Sequence, residues 1–97
     1  MGQLLQLALS NRTAILELLA SHHASNPRLF GSVMRGDDTQ SSDIDMLVDM
    51  PKSVSLLEVA QLELALGDLL GHTIDLVIAD ELHPRIRSQV LAEARAL

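Results

Sequence analysis

At 97 residues the chain is long enough to close one hydrophobic core and too short for two, so one domain over residues 1–97 is expected. Seven basic against thirteen acidic residues give a net charge of -6 with no dense Lys/Arg cluster, which argues against binding nucleic acid through its phosphates. The absence of cysteine rules out a disulfide framework and a thiolate zinc site, and fits a reducing compartment.

From the N-terminus, Leu4, Leu5, Ala8, Ile15, Leu16, Leu18 and Leu19 recur at helical spacing, predicting one amphipathic helix from about residue 3 to about residue 23. Ser25-Asn26-Pro27 stops it. Polar residues interrupt its apolar stretches and no basic segment precedes them, so neither a signal peptide nor a membrane span is expected, and the location expected is cytoplasmic. His22 and His23, adjacent in the last turn, point in different directions and read as surface residues rather than a metal pair.

Residues 28–32, RLFGS, read as a short strand ending at Gly31, after which Ser32 caps a brief helical turn that Gly36 terminates. Residues 37–42, DDTQSS, read as a polar loop. From Asp43 to Met50 the chain alternates, with Ile44, Met46, Val48 and Met50 on the core face and Asp43, Asp45, Leu47 and Asp49 on the other. Pro51 closes this second strand. Ser55 and Glu58 match a capping box ahead of a helix of about fifteen residues that Gly71 stops. That helix holds more leucine than one apolar stripe needs, so part of it faces a partner or lies in a leucine-rich core. Residues 73–79 make a third strand, with Asp75 opposite Ile74, Leu76 and Ile78. Pro84 opens a last helix whose apolar side is Ile86, Val90, Leu91 and Ala94. The expected fold is α/β: a small mixed sheet of three or slightly more strands, flanked by helices, in the order αβαβαβα.

The acids converge by topology. About ten residues join the first two strands, fewer than a parallel crossover needs, so these strands should be antiparallel. More than twenty residues with a helix join the second and third, enough for a parallel crossover. Gly31, Asp43, Asp45 and Asp75 then meet at one end of the sheet. The two acid-bearing strands contain no Lys or Arg to neutralise three clustered carboxylates, so they would raise one another's pKa unless a cation intervened. An all-oxygen set favours Mg²⁺ or Mn²⁺ over zinc, and two such ions about 3.5 to 4 Å apart suit phosphoryl or nucleotidyl transfer. Asp43 and Asp45 would bind the ions and the nucleotide's phosphates; Asp75 would bind the second ion and help deprotonate an acceptor hydroxyl. Gly31 permits close backbone approach, and the turn after it offers Ser32 and free N–H groups to a triphosphate. Arg35 can grip the same phosphates. Singly, a Gly-Ser step is a turn, two alternating acids are a strand edge and Asp75 is a solvated side chain; their joint order carries the reading. His72, three residues before Asp75, is a weaker acid–base candidate, and it and His83 fit surface positions better.

"GSVMRGDDTQSSDIDMLV" followed by "IDLV" resembles the signature of the DNA polymerase β-like nucleotidyltransferase superfamily, and the length and wording resemble its minimal nucleotidyltransferases (MNT). The resemblance implies the nucleotidyltransferase fold, ATP as donor and Mg²⁺ as cofactor. It implies phosphate contacts at Gly31 and Ser32, with Arg35 and Ser42 counted among the nucleotide-binding residues, and metal ligation by Asp43, Asp45 and Asp75. Proteins of this kind pair with a HEPN-domain ribonuclease toxin and act as its antitoxin, adenylylating a tyrosine near the partner's active site. Two other readings stand beside this one. The chain neutralises its partner by binding alone, or it modifies a small molecule, for which no second domain is present to shape a pocket.

Overall fold

A computed structural model describes residues 3–36 and 43–97. The predicted first helix is two helices, α1 (Gln3–Ser10) and α2 (Arg12–Ser21). The break is at Asn11, whose side-chain amide donates to the Leu7 carbonyl at 2.9 Å and shares it with the residue's own backbone N–H, which is split between Leu7 and Ala8 at 3.2 and 3.1 Å. Leu4, Ala8, Ile15 and Leu19 are buried across the break, which preserves the apolar face that the spacing predicted.

Strand β1 (Ser25–Phe30) begins earlier than expected and contains Asn26 and Pro27 instead of starting after them. Ser25 pairs with Asp49 and Arg28 with Leu47, so β1 carries one extra residue there, and Asn26 adopts a φ of 56°. A bulge of this kind tolerates a proline, and the Pro27 carbonyl accepts from the N–H of Leu97 at 3.0 Å. The helical turn α3 (Ser32–Arg35) follows; Gly31, not Ser32, occupies its N-cap, while Gly36 ends it in the left-handed conformation as predicted.

Strand β2 (Ile44–Asp49) starts one residue after Asp43 and pairs antiparallel with β1. Helix α4 (Leu56–Leu70) has its capping box in place, with Ser55 Oγ accepting from the N–H of Glu58 at 3.1 Å and Gly71 as a left-handed C-cap. Strand β3 (Ile74–Ile78) returns parallel to β2, the connection predicted from loop length. A short 3-10 turn (Ala79–Glu81) leads to α5 (Pro84–Glu93), which His83 caps by accepting from the N–H of Arg85 through Nδ1. A fourth strand, β4 (Arg95–Ala96), pairs antiparallel with β1, giving the order β3-β2-β1-β4. Two residues are too few to show alternation, which is why β4 left no trace in the sequence pattern.

The main core joins α1, α2 and α4 to the face of the sheet that carries Leu29, Ile44, Met46, Val48, Ile74, Leu76 and Ile78. The opposite face is not bare. Leu47, predicted on the non-core side, is fully buried in a second, smaller cluster with Ala79 and Leu82, edged by Phe30, Val77, Val90 and Ala94. Helix α5 itself buries no residue, and Ile86 and Leu91 of its predicted apolar side are 47% and 43% exposed, so only Val90 and Ala94 do the packing. On β3, an edge strand, the Leu76 N–H donates to Glu63 Oε2 of α4 at 2.8 Å, which covers one outward-facing donor. Among the described residues no helix is long and apolar enough to cross a membrane.

Candidate active site

The β2–β3 register is anchored by the Ile44 N–H donating to the Thr73 carbonyl at 2.9 Å, and it sets Asp45 directly beside Asp75. Across the β1–β2 pair, Phe30 stands beside Asp45. Directly paired residues share a face of a sheet, so Phe30, Asp45 and Asp75 form one row across three strands. The row lies at the end of the sheet where β1 finishes and β2 and β3 begin. Gly31, with φ 75° and ψ -150°, directly follows it.

Asp45 is half-buried and Asp75 exposed on the edge strand. The Asp45 carboxyl is pushed up from the ordinary 3.8 to about 6, chiefly by burial, then by the charge of Asp75 and a side-chain hydrogen bond with it, and by Asp43; Arg35 opposes the shift. Asp45 therefore holds its proton to higher pH than a solvated aspartate does, and its ionised form is disfavoured beside Asp75. Asp43, exposed and just outside the strand, reaches the pair through its charge. Among the described residues no three His, Cys, Asp or Glu side chains are gathered closely enough to form a ready-made ion cage. The structure thus joins two of the three predicted acids side by side and leaves the third at the rim.

An oxygen-donor pair of this kind suits a hard divalent cation, whose charge would favour the ionised Asp45 that burial and the neighbouring acids disfavour. The first strand carries an arginine, but Arg28 serves the far end of the sheet. Its Nη2 meets Asp49 Oδ1 at 2.7 Å, and Asn26 donates to the same carboxylate at 3.0 Å. Asp49, on the same face as Asp45, is accounted for structurally.

Gly31 faces the acids for a steric reason that the sequence did not disclose: a Cβ built there would collide with Asp45 Oδ2. Ser32, half-buried, is the first residue of α3. The Gly31 carbonyl accepts from the N–H groups of Met34 and Arg35 at 3.0 and 3.1 Å, which closes the turn. Arg35 extends from the last position of α3 to Glu93, with Nη1 3.0 Å from Oε1. Ser42 falls outside the described residues. His72 lies in the turn ahead of β3 and lines an open groove of about 590 Å³ with Glu63, Leu64, Gly67 and Asp68 of α4. Among the described residues no hydrogen bond ties it to Asp75, and the groove is not the carboxylate site.

Two residues of this neighbourhood escaped sequence reasoning. Phe30 was visible only as the lone aromatic, and its place beside Asp45 follows from the antiparallel register. Glu93 stands 58 residues from Arg35 in the chain, and no local pattern signals their contact.

A mixed sheet that aligns paired acids with a Gly-Ser turn at one end defines a nucleotidyltransferase-type site. Residues 15–97 match the nucleotidyltransferase domain family, and the chain belongs to it. Protein adenylyltransferase MntA of Thermococcus cleftensis is 43% identical over 65 residues, 67% of this chain and 66% of that protein. A solved structure described as a minimal nucleotidyltransferase superposes with a TM-score of 0.83 at 45% identity, over 96% of this chain and 95% of that one. A second, a toxin–antitoxin crystal structure with AMP-PNP, gives a TM-score of 0.76 at 25% identity, over 89% and 71%.

Proposed function

We propose that the chain is the antitoxin of a toxin–antitoxin pair and silences a HEPN-domain ribonuclease by transferring AMP from ATP to one of its hydroxyls, that of a tyrosine. The observation that carries this reading is the side-by-side register of Asp45 and Asp75 next to a glycine that cannot bear a side chain. Relatives that act as a protein adenylyltransferase or sit in a toxin–antitoxin complex with an ATP analogue support the acceptor and the donor.

In this reading the N–H groups and hydroxyl of the Gly31–Ser32 turn, with Arg35, bind and orient the triphosphate. Asp43, Asp45 and Asp75 would hold Mg²⁺, two ions in all, which supply charge neutralisation at the phosphates and a more acidic attacking hydroxyl. Asp75, exposed on the edge strand, receives the proton of the acceptor hydroxyl. The acceptor oxygen forms a bond to the α-phosphorus, the bond from that phosphorus to the bridging oxygen breaks, and pyrophosphate leaves with its electron pair. Phe30, on the opposite flank, narrows water's access to Asp45.

Neutralisation by binding alone remains the rival reading, and the exposure of Leu56, Leu57 and Leu64 along α4, at 86%, 67% and 71%, favours a partner surface there. Co-expression separates the two. Wild type should rescue cells from the toxin, and the Asp43→Asn/Asp45→Asn double variant, although still able to bind, should not. Rescue by the double variant would establish the binding reading.

A further inference from the structure

We infer that Glu93 is a positioning residue for Arg35, and through Arg35 for the triphosphate of the donor nucleotide; the inference rests on the nucleotide-transfer reading above.

Glu93 is the last residue of α5, and the chain around it is fixed from several sides. Ala94 packs into the Leu47 cluster, and Arg95 and Ala96 pair with Leu29 and Arg28 of β1. Leu97 donates its N–H to Pro27 and accepts from Arg12 Nε at 3.0 Å. Glu93 closes α5 two residues ahead of Arg95, and the partner of Arg95, Leu29, stands two residues ahead of Gly31. The end of α5 is thereby tied to the end of β1, where the site starts. Glu93 Oε1 takes Nη1 of Arg35 at 3.0 Å.

Stability does not explain this pair. Arg35 is 56% exposed, and exposed pairs of this kind add little to folding. Its geometry points to orientation instead. A long arginine one turn beyond Gly31 lies within the field of the Asp45 carboxyl, and a guanidinium swung inward would sit on Asp45 and Asp75. There it would compete with the cations and turn away from the phosphates. Glu93 holds it at the rim, on the α5 side, where a planar guanidinium can meet an incoming phosphate.

The test is calorimetric binding of ATP, and of adenosine as the phosphate-free probe, in Mg²⁺ to the full chain. Wild type, Glu93→Gln, Glu93→Asp, Arg35→Ala and the Arg35→Ala/Glu93→Gln pair are compared. Glu93→Gln should weaken ATP about tenfold, the loss of one charge-assisted contact's orientation, and leave adenosine unchanged. Glu93→Asp should recover part of the loss, and Glu93→Gln should add nothing in the Arg35→Ala background. Unchanged ATP affinity in Glu93→Gln, an equal loss for adenosine, or a further loss in the Arg35→Ala background would each overturn the role. Failure of wild type to bind ATP would instead overturn the nucleotide-transfer reading, and this inference with it.

Discussion

Gly31 and Asp45 compete for one space: Oδ2 of Asp45 occupies the position that a Cβ on residue 31 would need. The glycine also has a φ of 75°, a region costly for residues with a side chain. Two demands, one conformational and one steric, fall on the same residue.

Gly31→Ala should therefore be far worse than an average surface substitution. The positive-φ backbone, in a region reserved for glycine, alone costs about 1–3 kcal/mol, and the displaced carboxylate adds to it. A fall in Tm of roughly 4–8 °C per kcal/mol is expected for a chain of this size, together with loss of transfer activity. A Gly31→Ala protein that melts like wild type would show that Asp45 has room to move.

The raised pKa of Asp45 makes stability depend on pH in a stated direction. Its folded-state value, about 6, lies above the 3.8 of an unhindered aspartate, so the folded chain binds the proton more tightly than the unfolded one. The contribution is fully present below about pH 4 and is lost as pH rises through about 6. In EDTA, wild type should lose Tm relative to Asp45→Asn across this window, and Asp45→Asn should be the more stable protein at neutral pH. Parallel melting curves would remove the claim that the Asp45–Asp75 pair is strained by its charge.

Helix α4 offers a contrast between leucines two positions apart. Leu62 is fully buried while Leu64 is 71% exposed. Leu62→Ala should cost about 2–5 kcal/mol in urea unfolding, whereas Leu64→Ala should stay within about 0.5 kcal/mol. If Leu64→Ala leaves the isolated chain intact but weakens its complex with the toxin, α4 is a partner surface.

Asp49 sits on the same face as Asp45 yet belongs to the Arg28 and Asn26 contacts at the far end of the sheet. Asp49→Asn should keep wild-type transfer activity and change stability by about 0–1 kcal/mol, the usual range for an exposed pair. A loss of activity matching that of Asp45→Asn would mean the acids act as one row.

Much of this was legible in the chain. The capping box at Ser55 and Glu58, the stops at Gly36 and Gly71, and the opposed faces of Ile44 and Asp45 are local signals, and each appears where its chemistry puts it. Loop lengths gave the strand directions because chain reach limits them. Hidden features depend on contacts distant in sequence or on competition for one carbonyl. Asn11 reads as a tolerable helix residue until its side-chain amide and backbone N–H are seen to share the Leu7 carbonyl. Leu47 reads as solvent-facing until the C-terminal helix covers it. The site was half-visible for the same reason: two strands announced their acids, while Phe30 came into it only through strand pairing and Glu93 only through an ion pair 58 residues away in the chain.

The central claim is that the Asp45–Asp75 pair transfers AMP to a protein. Its most direct test is the intact mass of the purified partner toxin after incubation with ATP, Mg²⁺ and wild type, Asp45→Asn or Asp75→Asn. A gain of whole AMP units with wild type and none with either variant is the predicted result. An unmodified partner with wild type, or full modification with both variants, would contradict the account.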